Sequence, residues 1–133
     1  MPDKDSMKEI YEALKLEEDS LCEMANVTKS KSSLDVDVWS EHSGVTRNIS
    51  HKNTPRAKLS NNTYTISVSI EENPKILRKP KKLSMDNAKR IFSSGIKYIQ
   101  DNYEIFLMHY NDRDDSFDDE SLFNALREKG VYK

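Results

Sequence analysis

Positive charge is concentrated in one stretch of this 133-residue chain, where five lysine and arginine side chains fall between residues 75 and 82. Closely spaced cations bind phosphates or carboxylates of another macromolecule, or pair with acidic side chains of their own chain. A tryptophan on the polar side of a strand would add a surface on which nucleobases stack. The sequence therefore predicts a partner-binding basic surface made of Arg56, Lys58, Lys75, Arg78, Lys79, Lys81, Lys82 and Trp39.

The net charge of −2 conceals three regions of alternating sign. Residues 1–28 carry three basic and eight acidic side chains, residues 29–97 carry fourteen and six, and residues 98–133 carry four and nine. The regional charges are therefore −5, +8 and −5. Two interpretations follow: the acidic ends pair with the basic middle, or the middle faces an anionic partner.

The residues that could bind a metal ion do not have the spacing of a metal site. Structural zinc sites use about four closely spaced Cys or His ligands, whereas the candidates here are scattered along the chain, at Cys22, His42, His51 and His109. The acidic stretch that starts at Asp112 resembles the beginning of a calcium loop, but Phe117 replaces the turn glycine and Phe123 replaces the bidentate glutamate. We expect no metal and no cofactor.

The sequence also lacks the local motifs of nucleophilic catalysis. Its three glycines, Gly44, Gly95 and Gly130, form neither a phosphate-binding loop nor a Gly-x-Ser-x-Gly elbow. We therefore expect a protein that is not an enzyme and has no catalytic residues.

The first element that must position this surface is an N-terminal helical arm, which with its polar linker covers residues 1–33. Ser6 and Glu9 have the spacing of a capping box at its start. The apolar stripe that follows is narrow and suits packing on a partner helix. We predict a helical-arm interface, and a homodimer formed through it, with the residues Met7, Ile10, Leu14, Leu21 and Met24.

Residues 34–111 are predicted to form an α+β core domain. Strict alternation of apolar and polar side chains predicts strands over 34–40 and 63–71, and a short strand over 56–59 leads into a tight hairpin turn at Asn61-Asn62. One apolar face and one polar face indicate a small antiparallel sheet of three or four strands that is covered on one side and wet on the other.

One long helix is predicted to cover the apolar face of this sheet. It begins at Ser84, a natural N-cap, and its apolar stripe continues to Tyr110. Gly95 lies within the stripe and is expected to mark a close approach of helix to strand. Residues 112–133 follow as an acidic turn and a helix over 119–129, with Asp118 as its N-cap.

The order of these elements over residues 34–111 resembles a family of small bacterial domains of unknown function. The signature of that family is a strand entry His-x-x-Pro-Pro-His-x-His, followed by a hairpin and a long helix; His51 and Pro55 match it. The chain departs from the signature at Thr54, Arg56, Lys58 and the helix end, Tyr110 or His109. The resemblance implies a small α+β domain carried by phages or mobile elements, in defence, anti-defence or toxin–antitoxin roles, with no established reaction.

Taken together, these features predict a small cytoplasmic protein that acts by binding another macromolecule. A protein partner is expected, and direct binding of nucleic acid by the basic region over 56–90 is the alternative. No run of about 18 apolar residues is present, so no membrane-spanning helix is expected. The single cysteine and the acidic, polar start favour a reducing compartment and no secretory signal.

Overall fold

The computed structural model of the protein describes residues 24–41, 54–112 and 116–133. Within these ranges the chain forms five strands and five helices. The strands are β1 (Met24–Val27), β2 (Asp37–Glu41), β3 (Arg56–Ser60), β4 (Thr65–Ser69) and β5 (Ile76–Arg78). The helices are α1 (Lys29–Ser32), α2 (Met85–Ile91), α3 (Ser93–Asp101), α4 (Tyr103–Asn111) and α5 (Asp119–Glu128).

The strands form one antiparallel sheet in the order of the chain, β1-β2-β3-β4-β5. The prediction of an α+β domain with an antiparallel sheet is confirmed, but the sheet has five strands instead of three or four. The two edge strands, β1 and β5, contain four and three residues. Strands this short carry too few alternating positions to be recognised from sequence.

Strand β1 occupies the place predicted for the end of the N-terminal helix. Met24, assigned by its spacing to the helical-arm interface, is buried and pairs with Glu41 of β2. Ala25 and Val27 of β1 are buried in the core. Residues 24–27 are therefore a strand of the sheet and not the end of a helix. The other predicted interface residues lie outside the described residues: Met7, Ile10, Leu14 and Leu21.

The sheet has an apolar inner face that packs on the helices and a polar outer face. The inner residues share one core with Phe92, Ile99 and Phe106 of the helical layer. The buried inner face is formed by Ala25, Val27, Val38, Ala57, Leu59, Ile66 and Val68.

The outer face is less wet than the alternation predicts, because Ser67 and Ser69 are both buried. The turn between β4 and β5 folds back onto Ser69. Its hydroxyl accepts a hydrogen bond from the backbone N–H of Lys75 at 2.8 Å and donates one to the Glu71 carboxylate. The sequence alternation predicts that Ser69 lies at the surface, but the turn after β4 encloses it.

The predicted long helix is three consecutive helices, α2, α3 and α4, separated at Phe92 and Asn102. Hydrogen bonding continues across Phe92, since its N–H donates to Ala88 and its carbonyl accepts from Ile96. At Asn102 the side-chain amide donates to the Tyr98 carbonyl at 2.8 Å, and the backbone φ is −128°. An asparagine side chain that bonds the preceding turn competes with the helix ladder and ends α3 there.

Gly95 marks a close approach between a helix and the sheet, as the sequence predicted. A Cβ atom at this position would lie 2.8 Å from Val36 Cγ2 and 3.0 Å from both δ-carbons of Leu59. These distances are too short for any larger residue without displacement of its neighbours. Helix α3 therefore rests directly on the sheet.

The β3–β4 hairpin turns through a four-residue loop, 61–64, instead of the predicted two-residue turn. Asn61 Oδ1 accepts hydrogen bonds from the backbone N–H groups of Thr63 at 2.8 Å and Tyr64 at 2.6 Å. This side-chain bridge replaces a backbone turn. Neither Asn61 nor Asn62 adopts the positive φ that a two-residue turn of this kind needs.

The ends of two helices follow their sequence signals. The Ser84 hydroxyl accepts a hydrogen bond from the Asn87 N–H at the start of α2. The Asp118 carboxylate accepts bonds from the N–H and the hydroxyl of Ser121 at 2.9 Å each. Gly130, just after α5, has a φ of +79°. Both predicted N-caps are confirmed.

We expect Gly95→Ala to destabilise the fold. The gain in helix propensity is roughly 0.5–1 kcal/mol, whereas overpacking a filled core costs about 1–3 kcal/mol. The free energy of unfolding in urea should therefore fall by about 1 kcal/mol. In a Val36→Ala background, which removes the closest contact, the same change should cost less, and an equal cost in both backgrounds would contradict the proposed contact.

The capping carboxylate of α5 should make stability depend on pH. Hydrogen bonds from the Ser121 backbone N–H and hydroxyl lower the pKa of Asp118 below its ordinary 3.8. A lowered folded-state pKa contributes stability that is complete above the unfolded pKa and disappears as the pH falls through the folded pKa. Urea unfolding at pH 6 and pH 3 should show a smaller pH effect in Asp118→Asn, which caps without titrating. An unchanged pH effect would disprove this assignment.

Candidate partner-binding site

The basic segment over 75–82 runs along β5 and the turn that follows it, at one edge of the sheet. Arg78 pairs with Ser67 and Ile76 pairs with Val68, with a register shift between them that leaves Leu77 as the extra residue. The shift puts Arg78 on the outer face while Ile76 stays on the inner face. A bulge in an edge strand thus sets the direction of the first cation after Lys75.

Three of the eight predicted surface residues lie in one row across the outer face. Trp39 pairs with Lys58, Lys58 pairs with Ser67, and Ser67 pairs with Arg78. Neighbouring strands are about 4.8 Å apart, so Trp39 and Arg78 are separated by roughly 14 Å. Arg56 lies two residues from Lys58 on the same face of β3.

The environment of Trp39 differs from that of an open stacking platform. Its side chain is half-buried, and the indole N–H donates a hydrogen bond to the Ser60 hydroxyl at 2.9 Å. A bond of this kind fixes the ring against its own sheet.

The cations of the basic segment form no ion pair with any carboxylate of the described ranges. Lys81 and Lys82 are exposed, and so are Lys75 and Arg78. The part of the acidic C-terminal region that the structure describes therefore does not neutralise them. Within the described residues, the structure therefore gives no support to the interpretation that the acidic ends pair with this segment.

A groove of about 500 Å³ opens between β5 and helices α2 and α3. Its apolar lining is Pro74, Ile76, Met85 and Ile96. Its cationic lining is Lys75, Lys89 and Lys97. Met85 is 41% exposed and lines the groove beside Ile76 and Ile96. This groove could not be predicted from the sequence, because it depends on where the helices cross the sheet.

Opposite charges and a tyrosine meet at the ends of β2 and β3. Glu41 is only 3% exposed. Burial, followed by the negative charge of Glu41, raises the pKa of the Tyr110 hydroxyl, and the positive charge of Arg56 partly offsets this rise. Arg56, predicted as part of the partner-binding surface, therefore also belongs to a partly buried polar cluster.

Ser40, His109 and Asp119 form a hydrogen-bonded chain that sequence analysis missed. Ser40 Oγ lies 2.8 Å from His109 Nδ1, and His109 Nε2 lies 2.7 Å from Asp119 Oδ1. Because an ionised carboxylate only accepts hydrogen bonds, His109 Nε2 donates to Asp119 Oδ1, and in the neutral imidazole Nδ1 then accepts a hydrogen bond from the Ser40 hydroxyl. These residue types occur in serine hydrolases, but Ser40 and His109 are both fully buried. The chain connects β2, α4 and α5 inside the fold.

No group of three His, Cys, Asp or Glu side chains within the described ranges could hold a metal ion. His109, one of the four candidate ligands, takes part in the buried hydrogen-bonded chain described above. Cys22, His42 and His51 lie outside the described residues.

No family model, no curated protein and no solved structure matches this chain. The resemblance of residues 34–111 to the small bacterial domain family therefore stays a prediction. None of the helices in the ranges that the structure describes is long and apolar enough to span a membrane.

We expect Ser40→Ala to reduce the free energy of unfolding by about 1–3 kcal/mol, because it removes the hydroxyl that is hydrogen-bonded to the buried His109 Nδ1. The matched control is Ser93→Ala, at an exposed position of α3, which should change stability by less than about 0.5 kcal/mol. Chemical denaturation of both variants measures the difference. Equal stability of the two variants would show that the buried bond has no structural role.

Proposed function

We propose that this protein is a non-catalytic binding protein that engages an acidic surface of a protein partner through the basic segment over 75–82. The observation that carries this proposal is that the segment forms no ion pair with any described carboxylate. Grouped cations that have no ion-pair partner among the described residues attract an anionic surface and accelerate its association.

The placement of these cations supports an intermolecular role. The segment includes the edge strand β5 and the turn after it, and the side chains of Lys75, Arg78, Lys81 and Lys82 are exposed there, as is Leu77. In the interior of the fold, in contrast, Ser40 and His109 are hydrogen-bonded to each other. The charge at the β5 edge is therefore available for a partner.

Single-stranded nucleic acid is the second candidate partner, and it is favoured by the row of Trp39, Lys58 and Arg78 across the outer face. Aromatic and cationic side chains on an open sheet face bind bases and phosphates. The hydrogen bond from Trp39 to Ser60 and the burial of Ser67 make this face less suited to stacking than a free aromatic surface. The acidic protein partner is therefore the first proposal.

The test is affinity purification of the full chain from its source cells, with and without nuclease. We expect one co-purifying protein that survives nuclease treatment and whose recovery falls at least about fivefold in the double variant Lys81→Glu/Lys82→Glu, since both side chains are exposed.

The matched control is Lys129→Glu/Lys133→Glu, which changes the net charge equally at exposed positions after α5. This control should retain the partner. Loss of the partner in both double variants, or loss after nuclease treatment, would contradict a protein partner bound by the basic segment. The nuclease result would support the nucleic-acid alternative instead.

A further inference from the structure

We propose that the groove between β5 and helices α2 and α3 is the docking site for an acidic amphipathic helix of the partner protein. This inference rests on the proposed function, and it names the part of the partner that is recognised. Three observations carry it: an exposed apolar lining, cations without carboxylates in the lining, and the spacing of those cations along the helices.

The apolar lining leaves surface that a partner would bury. Met85 is 41% exposed at the start of α2, and Ile76 and Ile96 are packed against the core on one side while they line the groove on the other. Burial of apolar surface is favourable by about 25 cal/mol per Å². The volume of about 500 Å³ is large enough for several aliphatic side chains.

The charges of the groove have one sign. Lys75 lies just before β5, Lys89 lies on α2 and Lys97 lies on α3. No carboxylate of the described residues lines the groove. Lys97 has an ion pair with Asp101 at 3.3 Å, with both side chains exposed. Exposed pairs within one helix are weak, so a partner carboxylate can replace Asp101. The charge pattern thus favours an acidic ligand.

The spacing of the cations favours a helical segment over a small anion. Lys89 and Lys97 are eight residues apart along α2 and α3, which corresponds to about 12 Å at 1.5 Å per residue. Each lysine can therefore pair with its own carboxylate on an extended ligand. Two carboxylates that are two turns apart on a partner helix have the same separation, and the apolar side chains between them would face Met85 and Ile96.

The position of the groove in the fold is compatible with an added helix. Ile76 lies on the inner face of the sheet at its β5 edge, while Gly95 seats α3 on Val36 and Leu59, nearer the middle of the sheet. A helix placed beside α3 would extend the helical layer over this edge. Helix-in-groove recognition uses apolar anchors at i, i+3, i+4 and i+7 in the same way.

The experiment measures binding of fluorescent peptides of about 14 residues, or four helical turns, to the full chain by anisotropy. The first peptide is an amphipathic helix with leucines on one face and glutamates beside them. The second has the same composition in scrambled order, and the third has lysines in place of the glutamates. We expect the first to bind at least about tenfold more tightly than the others, because it alone has both features of the groove.

Two matched pairs of variants locate the site. Met85→Gln should weaken binding of the amphipathic peptide about fivefold, and Met108→Gln, an exposed methionine on α4, should leave it unchanged. Lys89→Glu should weaken binding about fivefold more than Lys133→Glu, which lies outside both the groove lining and the basic segment. All four positions are exposed, so thermal unfolding of each variant checks that the fold is intact.

The outcomes separate this inference from the proposed function. Equal binding of the amphipathic and scrambled peptides, or equal effects of Met85→Gln and Met108→Gln, would overturn the groove as the site, even where the cellular partner still depends on Lys81 and Lys82. Displacement of the peptide by a single-stranded oligonucleotide would also overturn it. If recovery of the cellular partner does not depend on Lys81 and Lys82 while the peptide binds specifically in the groove, the basic segment is rejected as the binding site and the groove is retained.

Discussion

The close contact between α3 and the sheet at Gly95 is the constraint on which the other features depend. With no side chain at this position, α3 can approach Val36 and Leu59 to van der Waals distance. The following helix, α4, then lies near enough to β2 for His109 to bond Ser40. Since the helices are seated near the middle of the sheet, its β5 edge keeps the open groove. One glycine thus links the packing of the core to the proposed binding site.

Much of the fold is predictable from local signals. The alternation around Ile66 and Val68 predicts a strand whose apolar face is in the core, and the capping residues Ser84 and Asp118 mark helix starts by satisfying backbone N–H groups. Gly95 predicts a close approach, because alanine would give a more stable helix at this position if there were room for its Cβ atom. In each case the physical cause lies within a few residues of the signal.

The features that were not predictable depend on tertiary context. Met24 fits a heptad, and only its pairing with Glu41 of β2 shows that it belongs to a strand. Asn102 ends a helix because its side chain bonds Tyr98. The chain from Ser40 to Asp119 joins residues that are 79 positions apart in sequence. For the candidate binding site, the cations could be identified from the sequence. The apolar lining formed by Met85 and Ile96 could be identified only once the helices were packed on the sheet.

Polar side chains near β2 are buried and hydrogen-bonded, as at His109, whereas the cations near β5 are exposed to water, as at Arg78. This difference has a physical reason. On the β2 side, burial makes an unpaired polar atom costly, so His109 is bonded at both nitrogens. On the β5 side, charges stay in water, where leaving them unpaired costs little. Lysines there also discourage the open edge strand from pairing with other chains. A helix that supplies carboxylates and apolar side chains meets both properties of this edge without using its backbone hydrogen bonds, which a strand partner would require.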